Sequence, residues 1–440
     1  MSDDVKPPYA AQARALAKAG DWPAANDRLS RLIAQITATP VLGLKINRDQ
    51  YSLNSLNGQV TLADHRTLFF KYHHEDGEDQ TIEEYYRAGL LRDAGFHVDV
   101  PLYACGEPGR QILLYALRNN KRLAEVCHEI EDGDDWLNMG VVVDAQQRAD
   151  RALWACSQPT LVSGSQESVV KEPIHQLFYH RLFSAGEPAG LGGRVKLFYV
   201  DKVFQLAQEQ LPWRELSRLQ WEINGVLYPH SLEQLFLEAG ERLEPSALAG
   251  QGALTAHGDA HNANVWFDTR GGQPELVSFD PAFAGSAIPA LLAEIKATFH
   301  NIFAHPCWLY EPERAAQRYH VTVTREGQRL KVSHNWQLTP LRRAFLDSKG
   351  HEYWRPLLAE LKHRGWLPAH WQRIVRLAMF CCPTLVLDLR ADGHSGHTPV
   401  SSALGLAIAV MLGNGGEDDF THWLNDLVAI NHADSTLDRS

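Results

Sequence analysis

The stretch from His257 to Asp280 constrains this chain more than any other. It runs His257-Gly-Asp-Ala-His-Asn-Ala-Asn-Val-Trp-Phe267, passes through Gly271-Gly272 and returns as Leu276-Val-Ser-Phe-Asp280. Two short apolar runs around a glycine pair predict a β-hairpin. If Val265 to Phe267 and Glu275 to Phe279 pair as antiparallel strands, Asn264 just before the first and Asp280 just after the second fall at the same open end. An amide oxygen and a carboxylate are hard ligands, suited to Mg²⁺, which keeps waters and substrate phosphates in its remaining positions. Asp259 lies in the loop feeding that end, placed to take a proton from a hydroxyl that attacks a phosphate. On residue types alone, His257, Asp259 and His261 also read as the ligands of a metallohydrolase.

The order H-x-D, four residues, N, then a strand and Asp resembles the catalytic segment of aminoglycoside phosphotransferases, choline kinases and their relatives with a protein-kinase-like fold. The resemblance assigns Asp259 as catalytic aspartate, Asn264 and Asp280 as the metal-binding pair, and His257 as a structural member of the loop. The continuation Asp280-Pro-Ala-Phe-Ala-Gly285 is similar to a D-P-x-F-A variant in some small-molecule kinases of the group, such as methylthioribose kinases. A protein kinase or an ATP-binding regulator could share the same fold.

A kinase-like site also demands a lysine on an upstream strand, a glutamate on a helix to hold it, and a loop that approaches the phosphates. In Thr67-Leu-Phe-Phe-Lys-Tyr72, strand alternation puts Leu68, Phe70 and Tyr72 on one face and Thr67, Phe69 and Lys71 on the other. Lys71 is the phosphate lysine implied. The helix starting at Thr81 carries Glu83 and Glu84. Thr81 with Glu84 fits a capping box, which would leave Glu83 for Lys71, whereas the spacing to Leu91 in the family favours Glu84 as the partner. The loop Tyr51 to Gly58 contains a single glycine in place of a glycine-rich run, so Ser52, Asn54, Ser55 and Asn57 are the groups available to phosphate oxygens, with Ser55 and Asn57 the chosen candidates. Leu114 to Leu117 would be the hinge facing adenine.

These motifs order the chain of 440 residues as a helical extension over 1–40, a β-rich nucleotide lobe over 41–118, and a mainly helical lobe over 119–440 with three inserted hairpins. The expected fold is α+β, a bilobal protein-kinase-like architecture. In the extension, Asp21 or Asn26 caps a second helix. Asn224-Gly225 and Glu326-Gly327 mark the two hairpins outside the His257 segment. The helix expected at Pro289 to Phe303 carries Glu294 and Lys296. Trp308, Tyr310, Trp354, Trp366 and Trp371 read as helix core, with an acceptor-pocket role as the alternative. His394 and His397, without a nearby carboxylate or thiol, read as surface rings of a turn, with a metal pair or part of an acceptor site as the alternative.

A formal charge of −11 argues against a general binder of nucleic acid. Six cysteines with no C-x-x-C pair read as reduced thiols, and the N-terminus lacks the basic start and apolar core of a secretory signal, so a cytoplasmic location is expected. The longest apolar run, Ala403 to Leu412, is about half of what a membrane-crossing helix demands. The resulting expectation is an ATP- and Mg²⁺-dependent kinase acting on a hydroxyl of a small molecule such as a sugar, amino sugar or amino alcohol, without nucleic-acid or membrane partners.

Overall fold

The chain forms two compact units, Met1–Lys121 with Val277–Ala282, and Arg122–Leu276 with Phe283–Ser440. The computed structural model describes residues 7–47, 55–73, 80–133, 135–183 and 191–429. The architecture is mixed α+β, with a small antiparallel sheet in the first unit and mainly helices in the second.

In the first unit, β1 (Val41–Ile46), β2 (Ser55–Leu62), β3 (Thr67–His73), β4 (Tyr103–Cys105) and β5 (Ile112–Ala116) make a sheet in the order β1-β2-β3-β5-β4. Alternation along β3 works as the sequence requires: Leu68, Phe70 and Tyr72 are buried, and Thr67, Phe69 and Lys71 are half-buried. The buried face is covered by α1 (Tyr9–Lys18) and α2 (Trp22–Thr37), whose Ala10, Ala13, Leu29, Leu32 and Ile33 share a core with Val60, Leu68, Phe70 and Leu114. Asp21 caps α2 by accepting the Ala24 N–H at 3.1 Å. A third helix, α3 (Gln80–Asp93), follows β3.

The second unit contains more β-structure than three hairpins. Asn224 and Gly225, at φ 50° and 84°, turn the pair Gln220–Ile223 and Val226–Tyr228, as an Asn-Gly dipeptide favours. The hairpin Val321–Glu326 with Arg329–His334 joins it through a parallel contact of Arg329–His334 with Gln220–Ile223, giving a four-stranded sheet. Val265–Asp268 and Glu275–Ser278 form the expected two-stranded ribbon. Unexpected are a hairpin of Val203–Leu206 with Glu209–Pro212, and a sheet in which Gly252–Ala256 lies between Gly285–Pro289 and Val162–Ser163. That strand is buried throughout, and a short apolar run buried on both faces has no alternation to betray it.

Because Gly285–Pro289 pairs as a strand, the helix expected from Pro289 starts only at Ile295. It runs Ile295–Thr298 and widens into a π-helical turn, Phe299–Phe303. The core holds Trp308, Trp354 and Trp371 as expected, while Tyr310 is half exposed. His397 departs from its reading as a surface ring: it is buried, with Nδ1 3.1 Å from Ser401 Oγ, and burial pushes its imidazole down to about 4. His394 is exposed. The helix Pro399–Asn414 starts with a capping box at Thr398 and is buried from Ser401 to Asn414. The stretch Pro399–Val428 is long and apolar enough to cross a membrane, and it is mostly buried within the protein.

Candidate active site

The first unit brings Lys71 and Asp280 together. Lys71 Nζ lies 2.8 Å from Asp280 Oδ1, a contact between residues 209 apart in sequence. The segment carrying Asp280 is fixed by its backbone: the Ser278 N–H donates to the His97 carbonyl at 3.0 Å, and the Ser278 carbonyl accepts the Asp99 N–H at 2.8 Å. Beyond it, the Ala282 N–H donates to the Asp280 carbonyl at 2.9 Å and the Arg87 guanidinium donates to the Ala282 carbonyl. Asp280 itself has φ 57°, a left-handed conformation that aspartate tolerates better than most residues and that is found often at functional turns.

Asn57 stands directly opposite Lys71 in the β2–β3 register, so both side chains leave the same face of the sheet. Its Oδ1 accepts from Asn47 Nδ2 at 2.8 Å. Next to it, a Cβ on Gly58 would lie 2.0 Å from the Lys45 carbonyl oxygen, so only glycine allows this approach of β1 and β2. The side chains of Ser55, Glu83 and Glu84 lie outside the described residues, as do Ser52 and Asn54; Glu84 is known only as a position on α3.

The second unit assembles the segment around Asp259. Strand Gly252–Ala256, paired on both edges, delivers the chain to His257, which is buried and accepts the Asp259 N–H on Nδ1 at 3.3 Å. Gly258 has φ 78°, and a Cβ there would meet the Phe283 carbonyl oxygen and Ile174 Cδ1 at 2.9 Å. The Asp259 carbonyl accepts from the His261 N–H at 2.9 Å and from Asn264 Nδ2 at 3.0 Å, and the Asn264 N–H donates to the His261 carbonyl at 2.6 Å. Asp259, His261 and Asn264 therefore form one closed turn. His261 Nδ1 accepts the Ala263 N–H at 3.3 Å, and among the described residues no three His, Cys, Asp or Glu side chains converge as a metal site.

Residues that motif reasoning passed over surround the Asp259 carboxylate. Lys296 Nζ and His261 Nε2 each lie 3.9 Å from its Oδ1. Lys296 is almost fully buried, and its Nζ donates to His300 Nε2 at 2.9 Å. His300 must then be neutral at that nitrogen: burial and the Lys296 charge push its imidazole well below its ordinary value. The proton sits on Nδ1 and is donated to the Tyr310 hydroxyl oxygen, whose ring stacks on His300. Lys296 is pushed down by burial and held up by Asp259. The π-helical turn brings both partners to the loop, since His300 lies 5.0 Å ring to ring from His261 and Asn301 Oδ1 accepts the Asn262 N–H at 2.8 Å. A π-turn often marks a functional position in this way. The clue in the sequence was Lys296 in the largely apolar stretch Ala290 to Phe303, which also carries Glu294 and His300.

The donor chemistry at the two residues proposed for a divalent cation fits Mg²⁺. Asn264 commits Nδ2 to the Asp259 carbonyl, which turns its amide oxygen to the other side, and Asp280 offers a carboxylate 41% exposed beside Lys71. Both are hard oxygen donors.

No protein-family model and no curated protein matches this chain. Among solved structures, a microcompartment-associated aminopropanol kinase is similar over 88% of this chain and 98% of its own at 14% identity and a TM-score of 0.42. A macrolide 2'-phosphotransferase type I covers 90% and 98% at 11% identity and 0.41. The macrolide 2'-phosphotransferase of Brachybacterium faecium covers 89% and 99% at 12% identity and 0.39. At this distance these likenesses decide nothing about the chemistry of this chain, which rests on its own residues.

Proposed function

We propose that the protein is an ATP-dependent phosphotransferase acting on a hydroxyl group of a small molecule. The observation that carries the reading is the Lys71–Asp280 pair at 2.8 Å, because it joins a strand lysine to a hairpin-end aspartate, the two kinds of group phosphoryl transfer calls for, across 209 positions of sequence. In this reading Lys71 binds donor phosphate oxygens, with Asn57 beside it on the sheet and Ser55 and Glu84 as further nucleotide-side candidates. Asn264 and Asp280 would hold Mg²⁺, which when bound neutralises phosphate charge. Asp259 orients the acceptor hydroxyl and takes its proton, and His257 holds the Asp259 backbone. Lys296, held by His300, would fix the Asp259 carboxylate by charge. Catalysis of this kind is chiefly alignment and charge neutralisation.

The test is transfer of labelled γ-phosphate from ATP into sugars, amino alcohols, hydroxy acids and peptides, with Asp259→Ala as the control. Loss of a positioned base should lower turnover by about a hundredfold to ten-thousandfold. Undiminished transfer by Asp259→Ala at saturating ATP and Mg²⁺ refutes the role, and labelling of peptides alone would favour a protein kinase.

A further inference from the structure

The side chains around Asp259 in the second unit are cationic. Lys296 lies at 3.9 Å, and Arg181, on the short helix Tyr179–Leu182, is coupled electrostatically to the same carboxylate. Arg194 adds a further positive charge felt by both Arg181 and Lys296. Arg194 is answered locally: its Nη1 donates to the Leu385 and Val386 carbonyls, at 2.8 and 3.1 Å, at the end of helix Trp371–Val386. The other group acting on Lys296 and Arg181 is Cys382, and burial pushes that thiol up to about 12, so it stays neutral. Among the described residues, Asp259 is thus the carboxylate that acts on both cations.

Arg181 carries the imbalance. Its guanidinium is largely withdrawn from water, and burial, with Arg194 adding to it, pushes it down to about 10. Its Nη1 is buried and has no hydrogen-bond partner among the described residues. A guanidinium donor buried without an acceptor is costly, and the group that would satisfy it is a planar or tetrahedral anion. A cationic acceptor would instead add like charge to Arg181 and Lys296.

We propose that the acceptor bears an anionic group, a carboxylate or a phosphate, which Arg181 holds beside Asp259 and Lys296. This rests on the phosphotransferase reading for its hydroxyl and goes beyond it in naming the acceptor's charge. Arg181 would set specificity by pairing with that anion, leaving Asp259 to face the hydroxyl.

The experiment uses the full chain and acceptors that share a scaffold and differ in one group: glycerol, glycerate, glycerol 3-phosphate and 3-aminopropane-1,2-diol, then glucose, gluconate, glucose 6-phosphate and glucosamine. Binding is read by tryptophan fluorescence without nucleotide, and phosphate transfer from ATP is read separately. At least one acid should bind about tenfold to a hundredfold more tightly than its neutral counterpart, the scale of a charge-assisted hydrogen bond, with the amine weakest. Which acid wins separates carboxylate from phosphate. Arg181→Gln should erase the preference and Arg181→Lys should restore part of it, with little change in the KM for ATP. Equal or better binding of the neutral or amino members overturns the proposal. So does the absence of acid preference in both sets, or an Arg181→Gln defect of the same size in the KM for ATP, which would give Arg181 to the donor phosphate. Acid-selective binding without phosphate transfer keeps the anion site and rejects the phosphotransferase reading, whereas transfer to neutral or amino members does the reverse.

Discussion

The buried pair Glu131–Arg342 should make the second unit acid-sensitive through a route that reaches the Asp259 loop. Arg342 Nε and Nη2 donate to Glu131 at 2.8 and 3.0 Å, and its Nη1 donates to the Ala304 carbonyl at 3.1 Å and to the Asn301 carbonyl at 3.4 Å. Asn301 in turn holds the Asn262 N–H. Burial alone would raise Glu131, but the Arg342 charge and hydrogen bonds hold it down to about 2 from an ordinary 4.5. The folded state therefore binds this proton more weakly than the unfolded chain. The stabilisation is fully present above the unfolded value and is lost as pH falls through the folded one. The gap corresponds to about 3 kcal/mol for a group with no exposed side-chain surface, as an order of magnitude. His305, 3.4 Å from Glu131 and pushed down to about 3 chiefly by burial, adds in the same direction, because it must stay neutral where the unfolded chain would already be protonated. Thermal unfolding midpoints of the wild type and Glu131→Gln, measured from pH 7 to pH 3, check this. The wild type should lose stability steeply below pH about 5, and the variant should start lower and fall less. Parallel curves for the two proteins would refute the assignment.

Two further perturbations follow from charges the structure pairs. Lys71→Met should raise the KM for ATP by about tenfold to a hundredfold, the scale of a lost charged hydrogen bond, and Asp280→Asn should shift the Mg²⁺ dependence of turnover to higher concentration; unchanged values in steady-state kinetics would remove these residues from the nucleotide site. Lys349 Nζ lies 2.5 Å from Asp150 and 3.0 Å from Glu294, all buried, so Lys349→Met strands two carboxylates and should cost about 3–5 kcal/mol in denaturant unfolding. A loss below about 1 kcal/mol would mean that the pair is hydrated or protonated in the native state.

The legible parts of this chain were those governed by local rules. Strand alternation located Lys71 on the half-buried face of β3, the Asn224-Gly225 pair turned where its backbone preference requires, and the two short apolar runs around Gly271-Gly272 marked a hairpin that forms. What escaped notice depended on partners distant in sequence. Gly252–Ala256 is a strand only because Gly285–Pro289 and Val162–Ser163 border it, and that pairing shortened the helix expected from Pro289. Glu294 and Lys296, placed by the sequence on one helix without distinct roles, go to different partners: Glu294 pairs with Lys349, and Lys296 two residues on approaches Asp259. The difference is about half a helical turn, which the motif could not resolve without knowing where the helix begins. His397 was misjudged for a similar reason: nothing in its glycine-rich surroundings announces Ser401 as a buried neighbour.

Buried charge separates structural clusters from the candidate site more sharply than the total of −11 does. Arg342 finds two carboxylate oxygens and two carbonyls, and Lys349 lies between two carboxylates, so each cation is answered inside the fold. Such closed sets have no need of a ligand. Around Asp259 the count reverses, with Lys296 and Arg181 sharing one carboxylate and a buried Arg181 nitrogen without an acceptor among the described residues. A net negative charge keeps a polyanion from binding at large, but it does little to a desolvated cluster of positive charges a few residues across, where the local imbalance sets the sign of the group it favours. The unanswered cation thus stands beside the one aspartate in this unit that the motif singles out, and that coincidence ties the acceptor's charge to the site of chemistry.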